Sequence, residues 1–529
     1  MRFFLYVYCI ATVGLLVPVF AENATLPDEA AAFAEAALPP PAPVADPPPS
    51  RVGRVSLTSR NVDLRNPGQA GWADAEVNQP VFAGQALRTD SRSRAEVQIG
   101  ANTVDLSGDT EIELASLSNQ YVQIAMSRGR LAVRLHELGN GKAVEVDFPQ
   151  GGVWLLAPGL YDIDAGSGDQ LPKVTVFEGQ AKFAGDSGAT HLESDQTLVL
   201  TDAPPLATEA AVPDLFIEWC QERDYDETRL AALYYISPDV TGFADLDAAG
   251  IWRVNPEYGP VWFPTGPEDW APYRFGHWRW IAPWGWTWID DQSWGFAPSH
   301  YGRWTLINEH WAWVPGNFIE RPLYSPAVVA FLGTPGVGLS SEDGATVAWF
   351  PLAPGEAYWP SYTRDVDYVR RLNFGNVADL TSIGMQADGE PPLEVFNEDF
   401  ANRQFATVVP RSIFTNGRPV APARVILPEK RLQDAPVLMA SPQIAPAAPV
   451  QRVARAAPNP LPTRVAVNPA HKARARSILG ASLQPRGHVQ SVIIRGAHLH
   501  VPSYAGQPRG RQTIMLRIAH SRGVPGKRG

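Results

Sequence analysis

Cysteine is nearly absent from this chain of 529 residues, which has two, Cys9 and Cys220. Cys9 lies inside an apolar N-terminal run, so removal of that run leaves Cys220 alone and no intrachain disulfide can form. A disulfide-stapled scaffold is thereby excluded, as is a zinc site built on cysteine pairs. Long apolar runs are lacking after residue 21, and no later segment approaches the roughly 20 apolar residues of a spanning helix. Acid is missing from residues 451–529, which carry fourteen Lys and Arg. Helical periodicity is missing from residues 51–202. No H-E-x-x-H, tight histidine spacing or Gly-Lys-Ser/Thr loop occurs, so no cofactor or metal is expected.

Charge is unevenly spread. The net charge is −11, yet residues 403–529 hold twenty basic and two acidic side chains (Glu429 and Asp434), so the preceding 402 residues carry −29. An acidic body is followed by a basic tail. Residues 1–21, MRFFLYVYCIATVGLLVPVFA, combine an early arginine, an apolar core and a small-residue end. They are expected to be an export signal, placing the protein in the periplasm or cell envelope. Residues 22–50 end in LPPPAPVADPPPS, a proline-stiffened spacer. From 421 to 529 the chain is rich in Pro, Ala and Arg, and is expected to be a disordered tail.

Two regions between these ends predict β structure. In residues 51–202 apolar side chains alternate through Val97-Gln98-Ile99, Val104-Asp105-Leu106, Leu131–Leu135, Val144-Glu145-Val146 and Val174-Thr175-Val176, with glycines between. Many short strands with one polar face indicate an all-β sheet stack. Residues 203–250 predict a short helical connector, capped near Pro213-Asp214. Residues 251–420 are the densest stretch, because twelve of the seventeen tryptophans fall between Ile251 and Gly316. Trp278 and Trp280, then Trp284, Trp286 and Trp288, then Trp311 and Trp313 alternate with a period of two. Pro283, Gly285, Gly295 and Pro298 interrupt them. This spacing predicts antiparallel strands with aromatic pairs facing each other across them. Gly276-His277-Trp278 recurs as Gly302-Arg303-Trp304, at an offset of 26, and predicts a hairpin used twice. The glycine two places before a tryptophan leaves room for an indole to lie over backbone. The fold class is therefore mainly β, with two all-β domains joined by a helical connector.

Two resemblances sharpen this reading. GRVSLTSRNVDLR, then GQALRTDSRSRAEV at 84–97, SRGRLAVRL and VTVFEGQAKF resemble a FecR domain over about 150 residues. FecR proteins of the well-known type relay occupancy of an outer-membrane receptor to a cytoplasmic sigma factor, through a cytoplasmic segment and a membrane span. No such segment precedes the signal-like run here, so the resemblance implies the exported β module. YGPVWFP, WAPYRFGHWRW, WGWTWIDD, WGFAPSHYGRW and VAWFPLAPGEAYWPSY resemble a Trp-rich domain of unknown function that follows FecR domains in Gram-negative bacteria.

Most of the indoles are expected to form the core of a thin β domain, since large aromatics bury much apolar area. A few are expected at the surface. Trp270, Trp284 and Trp294, each beside a turn residue, are the candidates for a ligand platform, with Asp290 and Asp291 supplying hydrogen bonds. His277, His300 and the acidic turn could only loosely assemble a hydrolase site. Their more ordinary role is as turn and edge histidines bonded to backbone. The leading expectation is a non-enzymatic envelope protein that binds or scaffolds, its Trp-rich domain contacting an envelope glycan or protein. A FecR-type partner of an outer-membrane receptor is the alternative. For the basic tail, anionic lipid or lipopolysaccharide is favoured over nucleic acid.

Overall fold

The computed structural model describes residues 48–49 and 51–447, apart from 140, 187, 202–206, 225–229, 268, 337, 342–343, 382 and 384–398. The export signal, nearly all of the spacer and the tail beyond 447 lie outside the described residues.

The strand alternation of residues 51–202, joined by the strand Ala207–Ala210 from the segment expected to be a helical connector, folds into two nine-stranded sheets. One runs, in spatial order, Ala207–Ala210, Gln196–Val199, Lys173–Val176, Gly159–Asp164, Arg130–Leu135, Asn102–Leu106, Arg94–Ile99, Gly53–Ser59 and Pro80–Val81. The other runs Gly188–Leu192, Ala181–Gly185, Gly151–Leu155, Ala143–Phe148, Tyr121–Arg128, Glu111–Leu117, Ala86–Thr89, Val62–Arg65 and Ala73–Asp74. Pairing is antiparallel except between Tyr121–Arg128 and Ala143–Phe148, which run parallel. Alternate residues such as Val97, Leu106, Ile124, Val146, Ile163 and Phe183 turn into one core between the sheets. The expected sheet stack is what forms.

The connector supplies the helix Leu215–Arg223. Asp214 caps it, accepting from the Phe216 and Ile217 N–H groups at 3.1 and 3.2 Å. Phe216, Ile217 and Cys220 pack on Ala132 and Leu160, on the outer face of the first sheet. Beneath the helix runs a cross-strand row in which Glu96 faces Asp105, Asp105 faces Ala132, and Ala132 faces Asp162. The charges there are mostly answered: Arg223 donates to Glu96 at 2.5 Å, and Arg130 to Asp162 at 2.8 and 2.9 Å. Among the described residues Asp105 has no ion pair of its own, and Cys220 and the more distant Arg223 act on it only weakly. Burial, and secondarily Glu96, push its carboxyl up to about 8.

The Trp-rich region contains three copies of one hairpin, not two. They are Gly250–Asn255 with Gly259–Pro264, Gly276–Ile281 with Gly285–Asp290, and Arg303–Ile307 with His310–Val314. Each carries Gly-x-Trp at the same offset of 26: Gly250 and Trp252, Gly276 and Trp278, Gly302 and Trp304. In each, the first tryptophan faces one on the return strand: Trp252 and Trp262, Trp278 and Trp288, Trp304 and Trp313. The glycine lies beneath the returning indole. A Cβ would meet the Trp262 ring at 2.4 Å from Gly250, the Trp288 ring at 2.6 Å from Gly276, and the Trp313 ring at 2.5 Å from Gly302. Only glycine leaves that space.

Hairpins one and three join through Trp262 and Trp313 into a four-stranded sheet, giving a ladder Trp252–Trp262–Trp313–Trp304 across it. Hairpin two packs instead on a five-stranded sheet and the helix Arg411–Thr415, where Phe331 and Trp349 of the sheet and Phe414 of the helix each lie 5.4 Å from Trp278. Buried indole N–H groups mostly find carbonyls: Trp262 donates to Leu246, Trp304 to Pro298, Trp313 to Tyr301 and Trp349 to Tyr273, all at 2.9–3.0 Å. At 150–250 Å² buried per indole, each contributes roughly 4–6 kcal/mol of gross transfer energy.

The expected boundary at 420 is corrected. Residues 421–447 are folded onto this domain: Val437–Leu438 pairs with Val329–Leu332, and Leu432, Met439 and Ile444 are buried. Apolar residues spaced among the prolines suffice to hold this segment down, although the composition around them is that of a tail.

Candidate binding surface at the second hairpin

The second hairpin sits against the N-terminal sandwich, and this determines which of its side chains reach solvent. Val52, Phe82 and Ala101 of the sandwich belong to the same apolar cluster as the tryptophans. Trp284, in the hairpin turn, lies edge-on to Phe82 with ring centres 5.1 Å apart and packs on Tyr324 at 5.0 Å. Asn78 donates to the Asp290 and Gln292 carbonyls at 2.9 and 2.6 Å. Arg54, fully buried, donates to Gln98 and Asn78 at 2.8 Å each, to the Ser293 carbonyl at 2.6 Å, and to the Asp245 carboxylate. Thr241 donates to the Val52 carbonyl at 2.8 Å and accepts from the Gly100 N–H at 3.0 Å. The two β domains thus share one core across a hydrogen-bonded seam.

The expected indole platform does not form. Trp270, Trp284 and Trp294 are 8%, 1% and 6% exposed. Trp270 and Trp294 bridge the ladder, with Trp294 5.0 Å from Trp262 and Trp270 5.3 Å from both Trp294 and Trp304. A turn residue next door does not expose an indole when other rings converge on the turn. Asp290 is likewise buried, accepting from the Trp288 indole N–H and the Gln292 N–H at 2.9 Å each. Burial lifts its carboxyl to about 7 despite these bonds. Asp291 is exposed as a residue and close enough to His277 and Glu76 to interact with both, and partial desolvation of its carboxyl raises its pKa.

The histidines separate. His300 is buried with its Nδ1 2.8 Å from the Ser325 carbonyl, and burial drops its pKa to about 3, leaving a neutral ring. His277 bonds Glu76 of the sandwich at 3.0 Å, and Arg279 forms an ion pair with the other oxygen of the same carboxylate at 2.8 Å. Although burial opposes it, this pair holds Glu76 below the usual carboxylate range. His277 and His300 therefore serve separate contacts, and no group of three metal-ligating side chains is found among the described residues.

The indole that reaches solvent is Trp280, 49% exposed. It lies edge-on to Trp286 at 5.6 Å and over Gly285, whose Cβ would meet its ring at 3.4 Å. Trp286 is itself fixed by its N–H bond to the Ile444 carbonyl at 2.8 Å. The sequence places Trp280 on the same face as Trp278. It stands at the turn end of the hairpin, opposite Trp286, whereas Phe331 and Trp349 of the covering sheet lie against Trp278. Glu76, Asn78 and Arg54 carry no local signal, since their partners across the seam lie 191 to 239 residues away.

The fold and seam define a β-sandwich fused to a Trp-hairpin domain. Residues 243–356 match the model of a family of unknown function, DUF6600, which covers the three hairpins and not the sandwich. Two crystal structures of a candidate anti-sigma factor from Parabacteroides distasonis align with 34% of this chain and 99% of their own, at 16% and 15% identity and a TM-score of 0.23. No curated protein matches the sequence.

Proposed function

We propose that this chain is a non-enzymatic binding and scaffolding protein of the cell envelope, whose Trp-rich domain contacts glycan or protein through Trp280. The observation that carries the reading is an indole open on one face and held on the other by Gly285 and Trp286. A ring already ordered loses little freedom on binding, and a flat apolar face is what a sugar ring or a proline stacks against. The shared core and the Arg54 seam support the scaffolding half, because they hold the sandwich and the Trp280 face in one relation. The basic tail adds an attraction to anionic lipid or lipopolysaccharide that salt would weaken.

The test is retention of the full chain on peptidoglycan and on purified envelope polysaccharide, with Trp280→Ala beside it. Retention that drops about 5- to 30-fold in the variant, the equivalent of about 1–2 kcal/mol, is the expected result. No retention on any envelope fraction would sink the proposal.

A further inference from the structure

The first strand of the first hairpin, Gly250–Asn255, ends the four-stranded sheet. Its ladder shows which backbone groups face outward. Pro260 and Pro264, which have no N–H, stand opposite Val254 and Gly250. Those are therefore non-hydrogen-bonded pairs, and so by alternation is Trp252 with Trp262. The bond from Thr265 N–H to the Ala249 carbonyl, 2.8 Å, fits the same alternation. Gly250, Trp252 and Val254 consequently aim their N–H and C=O groups away from the hairpin.

In the other two hairpins this outer edge is covered. The Trp304 N–H donates to the Leu352 carbonyl at 3.0 Å, and the Gly276 carbonyl accepts from the Val420 N–H at 2.9 Å. Among the described residues the first hairpin has no such cover. Its side chains do not protect it either: Ile251 is 51% and Val254 74% exposed, with Arg253 the one charge between them. Exposed edge strands are normally blunted by several charges, a bulge or a proline.

We propose that this edge is a self-association site, occupied by the same strand of a second copy of the chain. An antiparallel pair about a two-fold axis through Trp252 sets Trp252 opposite its counterpart and Gly250 opposite Val254. All six outward groups are then matched. On the outer face Ile251 of one copy meets Arg253 of the other, so the arginines do not oppose each other. Centring the axis on Arg253 would set the two arginines opposite each other and place Gly250 opposite Pro256, which has no N–H to offer. The sheet becomes eight-stranded across the dimer. A six-residue ladder is smaller than a standard stable interface, so the association belongs to the weak class, with a Kd on the order of micromolar.

Sedimentation velocity of the full chain from about 1 to about 200 μM reads this directly, with mass expected to climb toward the dimer. Val254→Pro removes an outward N–H that the hairpin itself does not use, and should weaken the dimer at least about tenfold. Ile251→Glu places a carboxylate opposite each Arg253 and should tighten it about two- to tenfold, an effect that added salt erases. Either shift in its stated direction supports the site, so misfolding of the proline variant would leave the glutamate variant to decide. A monomer at every concentration, or a dimer that neither substitution moves as stated, overturns the proposal. The outcome does not depend on what Trp280 contacts.

Discussion

Arg54→Ala tests whether the sandwich and the Trp-rich domain are one cooperative body. The guanidinium is fully buried, and burial lowers its pKa to about 10, with Glu96 opposing. Its bonds to Gln98, Asn78, the Ser293 carbonyl and Asp245 all lie at or beside the seam. Truncation leaves Asn78 and Gln98 acceptors buried without their donor, at about 1 kcal/mol each or more. Removing one partner of a buried ion pair costs about 3–5 kcal/mol. Asp245 is 37% exposed and can recover water, which places the expected total near the lower end, about 3–4 kcal/mol. Urea unfolding followed by tryptophan fluorescence reports mainly the hairpins, whereas far-UV circular dichroism reports both domains. In the wild type the two probes should coincide, because Val52, Phe82 and Ala101 cannot leave the common core without disturbing it. In Arg54→Ala the midpoint should fall and the probes should separate into two transitions. Non-coincident probes in the wild type, or a change under about 0.5 kcal/mol in the variant, would refute the shared-body argument.

Two further outcomes follow from buried groups. Asp105 lies among Glu96, Arg223, Cys220 and Asp224 and holds its proton up to about pH 8 in the folded chain, so the native state binds more protons than the unfolded one between pH 4 and 8. Its contribution is full below the unfolded pKa and is lost as pH rises toward the folded value. Asp105→Asn should therefore gain on the wild type by about 1.4 kcal/mol per pH unit from pH 5 to 7, and a pH-independent difference in urea unfolding would contradict this. Gly276→Ala would drive a methyl to 2.3 Å from the Ile289 carbonyl and 2.6 Å from the Trp288 ring, and should lower stability by about 1–3 kcal/mol, whereas Gly68→Ala, where no atom lies within 4 Å, bounds the loss of positive-φ freedom alone.

The sandwich was legible because a period of two in residues 51–202 needs only local reading, and Asp214 was legible as a cap for the same reason. That tryptophans of hairpins two and three pair across antiparallel strands was legible too, although which indole faces which was not. The first hairpin was not, because Val254 and Pro260 stand where the second has Trp280 and Trp286, so the aromatic repeat fades although Gly250 and Trp252 keep the offset. The folded stretch 421–447 was hidden by averaging: Leu432, Val437, Leu438 and Ile444 are few among prolines and alanines, and their value depends on a sheet edge that Val329–Leu332 leaves ready for them.

Exposure was the least legible property, for a geometric reason. Whether an indole in a turn meets solvent depends on what else arrives there, and for Trp284 the arriving groups are Phe82 and Tyr324, 202 residues before it and 40 after. Trp280 stays open because nothing comparable reaches the tip of its face. The same logic covers the seam, where Arg54 and Asp245 are 191 residues apart and each, read alone, is an ordinary surface charge. A charge that is costly to bury alone becomes specific once its partners are placed by other elements. It ties two neighbouring strands of one sandwich sheet, Gly53–Ser59 and Arg94–Ile99, to the helical entry of the first hairpin. The seam, rather than the abundance of tryptophan, is what makes the hairpins and the sandwich a single platform.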